Sequence, residues 1–260
     1  MTEVRRHLPV LGIACGLLAG LEAQAQPDLN NGRFVAVGGY LNGAPGGSAG
    51  ACFQCHGLDG AGDPTGAFPR LSGQSAWYLY DSMKDYASGA RQNAIMTPIA
   101  RALSDRQMED VAAYYAVQED VPFPPPPDVD PLMLQHGAAI SAVGIARQGV
   151  QGCVNCHGPA GIGIPPSYPA LAGQYASYLQ LQLRLWKDGK RGGDPLNVME
   201  NIAKLLTDED IEAVSKYFAS VRLPQAEQGA DGTAGGPTQG TQAPQLGVVP
   251  SAGQSAPQGQ

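Results

Sequence analysis

Apolar side chains recur at three- and four-residue spacing in several short segments of this 260-residue chain. That spacing places them on one face of a helix. The segment 75–88 shows the pattern and is followed by Gly89, a residue type favoured just beyond a helix end, and the segment 176–188 with Gly189 repeats it. Val, Ile and Thr never alternate with polar residues over a useful length, so we expect no β-sheet. The pattern predicts an all-α fold.

A further pair of helices is marked by its first residues. Ser104 followed by Gln107 forms a capping-box sequence, and Thr207 with Asp210 forms a weaker version of it. Both helices carry aromatic pairs near their ends, for which we predict a packing role in the core rather than a redox role. These aromatic residues are Tyr114, Tyr115, Tyr217 and Phe218.

The chain contains one module twice. Its halves align at offsets of 100 to 103 residues, and the repeat extends well beyond any single motif. We therefore predict two tandem domains, each made of a few helices. The matched segments include 52–56 with 153–157, 69–74 with 169–174, 103–105 with 206–208, and 114–116 with 217–219.

The duplication indicates where the domains begin and end. We place the first domain at 27–120, a linker at 121–131 and the second domain at 132–223. The linker has six prolines in eleven residues, a composition that excludes a helix and favours an extended, semi-rigid spacer. A domain of about 90 residues has a thin core of its own.

The two ends of the chain are predicted to lie outside these domains. Residues 1–25 combine Arg5 and Arg6 with an apolar stretch of 14 residues and a small-residue cleavage site, which is typical of a cleavable signal peptide. A membrane-spanning helix needs about 20 apolar residues. We therefore expect export to the periplasm and no transmembrane segment in the mature chain. Residues 224–260 are rich in Gly, Gln, Pro and Ala and predict a disordered tail.

Two Cys-x-x-Cys-His motifs indicate the chemistry. This spacing is typical of c-type haem attachment, in which two thiols form thioethers to the porphyrin and the histidine binds the iron. We predict two covalently bound haem c groups, around which the thin domain cores pack. Once a signal peptide containing Cys15 is removed, the motifs hold all the remaining cysteines. They consist of Cys52, Cys55 and His56 in the first domain and Cys153, Cys156 and His157 in the second.

A four-thiolate zinc site is the competing interpretation of two Cys-x-x-Cys pairs. Here each pair is followed by histidine, and the pairs begin 101 residues apart. Zinc-binding pairs typically lie roughly 15–20 residues apart. We therefore favour haem attachment.

The second axial ligand of each iron decides between an electron carrier and an enzyme. Of the methionines in the first domain, Met83 and Met108 align with aliphatic residues in the second, which indicates interchangeable core positions. Met96 alone aligns with another methionine, Met199. We predict Met96 and Met199 as the second iron ligands. Met133 has no counterpart, and we predict a structural role for it rather than a role as an iron ligand.

Two alternatives remain for this position. His136, near the start of the second domain, is expected to be a surface or cap residue, although the sequence leaves bis-histidine ligation open. A dihaem peroxidase is the enzymatic alternative, and it requires one iron to lose its methionine. The duplicated methionines favour two closed sites and an electron-transfer protein that is not an enzyme.

The charge of the chain narrows the range of partners. A formal net charge of −7 disfavours nucleic acid and anionic membranes as partners. It favours docking to a basic patch on a redox protein. That partner is an oxidase, or it is a dehydrogenase complex in which the chain is the dedicated cytochrome subunit. We expect single-electron transfer between such respiratory partners.

The duplicated order of these motifs resembles the dihaem cytochrome c4 family. Each repeat has Cys-x-x-Cys-His, then Pro-x-Leu-x-Gly-Gln, then a methionine, then a capped helix with an aromatic pair, and the match covers about residues 31–222. The resemblance implies that a proline carbonyl accepts a hydrogen bond from each proximal histidine. The pairs implied are Pro69 with His56 and Pro169 with His157. For Arg91 and Arg191, binding to haem propionates and simple solvation both remain open.

Overall fold

A computed structural model describes residues 26–39 and 50–222, except Pro64, Ala67 and Glu119. The predicted signal peptide and C-terminal tail lie outside the described residues. Within those ranges the chain forms ten α-helices, five before the linker and five after it. They are α1 (Leu29–Ala36), α2 (Phe53–His56), α3 (Ala76–Ser88), α4 (Met96–Ala102), α5 (Asp105–Ala116), α6 (Pro131–Val143), α7 (Val154–His157), α8 (Ala176–Lys187), α9 (Val198–Leu205) and α10 (Asp208–Ser220).

The all-α prediction is confirmed. The described part of the chain contains three isolated β-bridges and no strand. None of its helices is long and apolar enough to cross a membrane. We call α1–α5 with their loops module one and α6–α10 with theirs module two.

Helix ends follow the polar residues that the sequence marks. The Ser75 side chain accepts a hydrogen bond from Tyr78 N–H at the start of α3, and Gly89 ends this helix at φ 91°. Ser104 and Gln107 form a complete capping box on α5. The pair that begins α10 forms an equally complete box, so the expectation of a weaker version is wrong.

Each module is built on one close crossing of its first and last helices. Gly32 of α1 lies against the backbone of Asp110 in α5, and Gly137 of α6 lies against the backbone of Ala213 in α10. A Cβ atom at either glycine would overlap a carbonyl oxygen of the facing helix. The missing side chain is therefore what permits the crossing.

The predicted aromatic residues pack where these helices meet. Tyr114, Tyr115 and Phe218 are buried, and Tyr217 is partly buried against the core of module two. Tyr114 donates a hydrogen bond to Leu58 O, and Tyr115 donates one to Gly57 O, just beyond the first haem motif. In module one the aromatic pair therefore connects the final helix to the segment that follows the haem motif.

The linker is fastened to both modules. The Arg70 guanidinium of module one donates to the carbonyls of Val121 at 2.6 Å and Pro122 at 2.8 Å. It also lies 4.7 Å from the centre of the Phe123 ring, which the Arg222 guanidinium of module two approaches to 5.7 Å. Residues 121–130 have no regular secondary structure, and the last predicted linker residue, Pro131, instead begins α6, a position that its fixed φ suits.

The capping box of α10 gives a pH-dependent contribution to stability. Burial disfavours the charge of Asp210, but hydrogen bonds from Thr207 outweigh this and lower the pKa of the carboxyl, with further help from His136 Nε2 at 2.9 Å. A lowered pKa means that the stabilisation is present above the unfolded-state pKa of about 4 and is lost as pH falls below it. Asp210→Ala should cost about 1–2 kcal/mol of unfolding free energy at pH 7 and progressively less below pH 4. Denaturant titrations of the holoprotein at pH 7 and pH 3 measure the difference.

Module one supplies the matched control. Its capping box uses Gln107, whose amide does not titrate. The loss of unfolding free energy caused by Gln107→Ala should therefore be the same at both pH values. An equal loss for Asp210→Ala at pH 7 and pH 3 would contradict the proposed role of the charge.

Candidate functional site

Each Cys-x-x-Cys-His motif forms one short helical turn at the wall of a cavity. In module one Cys52 caps α2, and Cys55 and His56 lie within it. Module two repeats the arrangement with α7. In both turns the two cysteines are one helical turn apart and line the same cavity as the histidine that follows them. This is the arrangement that attachment of one flat macrocycle requires.

The histidines are held by the prolines that the resemblance implied. His56 Nδ1 lies 3.0 Å from Pro69 O, and His157 Nδ1 lies 2.9 Å from Pro169 O. A carbonyl can only accept, so Nδ1 carries the proton and Nε2 is left as the metal-binding nitrogen. Burial lowers the pKa of both histidines, with the proline carbonyls acting in the opposite direction. The neutral ring that a metal requires is therefore favoured.

One continuous, largely apolar cavity of about 520 Å³ borders both motifs. The four cysteines stay in two pairs, one in each motif, and the described residues contain no group of three or more His, Cys, Asp or Glu side chains able to hold a metal ion. Burial raises the pKa of Cys52 and of Cys153 to about 11, which disfavours thiolate ligands. The geometry thus excludes the four-thiolate zinc site and fits two flat apolar cofactors.

The methionines of module one separate into two groups. Met96, the first residue of α4, and Met83 line the cavity, whereas Met108 is buried in the core away from it. Leu183, the counterpart of Met83, also lines the cavity. Met199 lies on the cavity wall of module two and is the counterpart of Met96.

Both aligned methionines have their backbone N–H groups held by a side chain. Asn93 Oδ1 accepts from Met96 N–H at 2.9 Å, and Asp194 Oδ2 accepts from Met199 N–H at 2.7 Å. The segment before Met199 is three residues longer than that before Met96 and packs on module one through Gly192 N–H, which donates to Ala90 O. The repeat therefore preserves the placement of the methionine despite the insertion.

The other residues considered as ligands lie elsewhere. His136 Nε2 is within hydrogen-bonding distance of Asp210, and neither residue lines the cavity. Met133 Sδ lies 3.4 Å from Lys216 Nζ and is also outside the cavity. The geometry gives bis-histidine ligation by His136 no support.

Arg91 and Arg191 are buried at the boundary between the modules. Arg91 donates to Tyr178 Oη and to Gln182 Oε1, and Arg191 donates to the same Gln182 oxygen and to Tyr78 Oη. Burial disfavours ionisation of Tyr78, but the two guanidinium groups outweigh it and lower its pKa to about 8. The interpretation of these arginines as solvated is therefore wrong.

In the described part of module two, two buried N–H donors that line the cavity remain without a protein acceptor. They are Arg191 Nε and Trp186 Nε1, and the Arg191 guanidinium stacks 3.7 Å from the centre of the Trp186 ring. An unpaired buried N–H is costly. Carboxylate groups of a haem in this cavity would supply acceptors, so the donor set fits haem propionates.

A reciprocal contact between the modules lies outside the sequence-based expectations. Gln74 of module one bonds to the backbone N–H and C=O of Ala170, each at 3.0 Å. Gln174 of module two bonds to the backbone N–H at 3.0 Å and C=O at 2.9 Å of Arg70. The duplicated Gly-Gln of the Pro-x-Leu-x-Gly-Gln motif is the signal in the sequence that points to these residues.

Two helical modules, each with a cavity-lining Cys-x-x-Cys-His turn and a carbonyl-anchored histidine, define a dihaem c-type cytochrome. The family model described as Cytochrome c matches residues 48–116 and 146–222. Cytochrome c4 from Pseudomonas aeruginosa is 37% identical over 65% of this chain and 83% of its own length. The crystal structure of reduced recombinant cytochrome c4 from Pseudomonas stutzeri aligns with a TM-score of 0.63 at 32% identity, covering 75% of this chain and all of that one. The chain belongs to the dihaem cytochrome c4 family and carries two covalently bound haem c groups.

Two further similarities concern a particular enzyme system. A protein of Stutzerimonas stutzeri named thiosulfate dehydrogenase electron acceptor is 40% identical over 85% of this chain and 98% of its own length. The structure of thiosulfate dehydrogenase TsdBA from Marichromatium purpuratum aligns with a TM-score of 0.65 at 32% identity. The alignment covers 77% of this chain and 42% of that longer one.

Proposed function

We propose that this dihaem electron-transfer protein works in the periplasm, accepts electrons from a dehydrogenase that oxidises thiosulfate, and turns over no substrate itself. The observation that carries the proposal is that one cavity is lined by both haem motifs and by the two aligned methionines, Met96 and Met199. Haem supplies a one-electron couple between ferric and ferrous iron. A histidine and a methionine together close the iron to substrates and favour the ferrous state.

The ligand set that we propose is the same in both modules. The two thiols of each motif would attach the porphyrin, and the histidine and the methionine would both bind the iron. Pro69 and Pro169 orient the histidines through Nδ1. With both side chains bound, the iron would have no position left for peroxide.

The choice of electron donor is supported by two relatives that are named as acceptors of thiosulfate dehydrogenase. The first is the Stutzerimonas stutzeri protein, and the second, from Thiomonas intermedia, is 37% identical over 67% of this chain and 80% of its own length. A net charge of −7 further favours docking on a basic patch of the partner. The reduced protein would then pass its electrons to an oxidase.

Stopped-flow mixing tests the proposal. The oxidised holoprotein, mixed with thiosulfate dehydrogenase and thiosulfate, should be reduced at both haems, and the rate should fall as ionic strength rises because the docking charges are screened. Thiosulfate without the enzyme should leave the haems oxidised. Reduction by thiosulfate alone would identify an enzyme instead of a carrier, and rapid carbon monoxide binding by the reduced protein would show that an iron is open.

A permanent subunit of the dehydrogenase is the second candidate. It is favoured by the alignment to part of a longer thiosulfate dehydrogenase chain. Gel filtration of the native holoprotein with the dehydrogenase separates the two arrangements. A carrier elutes alone at physiological salt, whereas a subunit elutes with the enzyme.

A further inference from the structure

The peptide group that anchors each proximal histidine is bound on its other side by the opposite module. The C=O of Pro69 and the N–H of Arg70 belong to one planar peptide unit. Its oxygen faces His56 Nδ1 at 3.0 Å, and its N–H donates to Gln174 Oε1 of module two at 3.0 Å. A single rigid group therefore connects Gln174 to His56.

Module two has the mirror arrangement. The peptide between Pro169 and Ala170 accepts from His157 Nδ1 at 2.9 Å and donates to Gln74 Oε1 at 3.0 Å. Both glutamines are more than nine-tenths buried, so water does not compete for these bonds. The two chains of hydrogen bonds cross the boundary between the modules in opposite directions.

A peptide whose N–H is engaged becomes a stronger acceptor at its carbonyl, because successive hydrogen bonds polarise one another. A stronger acceptor at Nδ1 makes an imidazole a more basic ligand. A more basic ligand stabilises the ferric state, whose charge is one unit higher, over the ferrous state that forms when one electron is added. Each glutamine is thus placed to influence the iron of the other module.

We propose that Gln174 is a positioning residue for the module-one haem and Gln74 for the module-two haem, each acting through the anchoring peptide of the opposite histidine. The inference rests on the proposed electron-transfer role and on the proximal histidines. It does not depend on which side chain is the second ligand or on which protein is the donor.

Gln174→Met and Gln74→Met provide the test, because methionine keeps the volume of glutamine and removes both hydrogen bonds to the opposite module. The substitution also removes the bond that each Oε1 accepts from the next N–H of its own module. Equilibrium redox titrations of the full-length holoproteins use small mediators as the electron source, and haem-methyl proton resonances assign each midpoint to its module. Gln174→Met should raise the midpoint of the module-one haem by a twofold to fivefold change in its reduction equilibrium, roughly 20–40 mV. The module-two midpoint should stay in place, and Gln74→Met should give the reverse pattern.

Exchange of the histidine ring proton is the second measurement. With Gln174→Met the Nδ1 proton of His56 should exchange faster with deuterated solvent, while that of His157 keeps its wild-type rate. The inference would be overturned if the midpoint of the haem in the substituted module shifted, or if both midpoints shifted equally. Unchanged midpoints and exchange rates in either variant would overturn it as well. If one of the two variants does not fold, the corresponding variant of the other module tests the inference by itself. Failure of electron transfer from thiosulfate dehydrogenase would refute the proposed partner and leave these equilibrium measurements unaffected.

Discussion

Replacing Met199 by alanine is expected to lower the reduction potential of the module-two haem on the order of 0.1 V, because axial ligands govern much of the roughly 0.8 V range of haem potentials. Loss of the thioether would remove the ligand that we propose, which favours the ferrous state. The module-one haem should stay near its original midpoint. Met96→Ala should produce the complementary result. Redox titration of each holoprotein gives the midpoints, and the far-red methionine-to-iron charge-transfer band of the ferric state should lose about half its intensity.

The repeat provides matched controls for these variants. Met83→Leu copies the residue found at Leu183 on the cavity wall, and Met108→Ile copies Ile211. Both should keep the two midpoints and the full charge-transfer band. If Met96→Ala and Met199→Ala leave the titration unchanged, or if Met83→Leu removes the band of one haem, the ligand assignment is wrong.

Gly137→Ala is expected to destabilise the holoprotein by about 2–3 kcal/mol. Helix propensity alone would favour alanine by about 1 kcal/mol, so the two effects have opposite signs. The steric overlap at the crossing should outweigh the gain in helix propensity. The new methyl group would overlap the backbone of Ala213, which cannot move without separating α6 from α10. Gly32→Ala should have a similar effect at the crossing of α1 and α5. Denaturant unfolding followed by circular dichroism measures both.

An open glycine position gives the comparison. A Cβ at Gly189 has no atom within 4 Å, so Gly189→Ala incurs only the strain of its positive φ of 65°. Gly189→Ala should therefore reduce the free energy of unfolding by clearly less than Gly137→Ala does. A Gly137→Ala protein as stable as the wild type would show that the crossing tolerates a side chain.

The sequence predicts most of what is local to each module. Capping residues and periodicity give α3, α5, α8 and α10, because these signals depend on neighbours within one or two turns. The haem motifs and the proline carbonyls also follow from short segments. Met96 and Met199 stand out only because the chain holds two copies of the module, which separates the aligned methionines from those replaced by aliphatic residues.

Contacts between the modules are not predictable in this way. The pairing of Gln174 with the backbone of Arg70 joins residues 104 positions apart, and it depends on how the two modules are oriented against each other. Burial of Arg91 has the same origin, since its acceptors Tyr178 and Gln182 come from module two. For His136, the sequence shows an imidazole near a helix start but not the carboxylate of Asp210 on α10 that faces it. Such facts require coordinates.

Because side chains of both modules bind the linker, each module should change when it is separated from the other. Phe123 lies between guanidinium groups from the two modules, and those groups also bind the linker carbonyls. A fragment cut on either side of the linker therefore leaves a buried arginine or an aromatic ring without its partners. We therefore expect a mono-haem fragment of this protein to differ in its midpoint from the same haem in the intact chain.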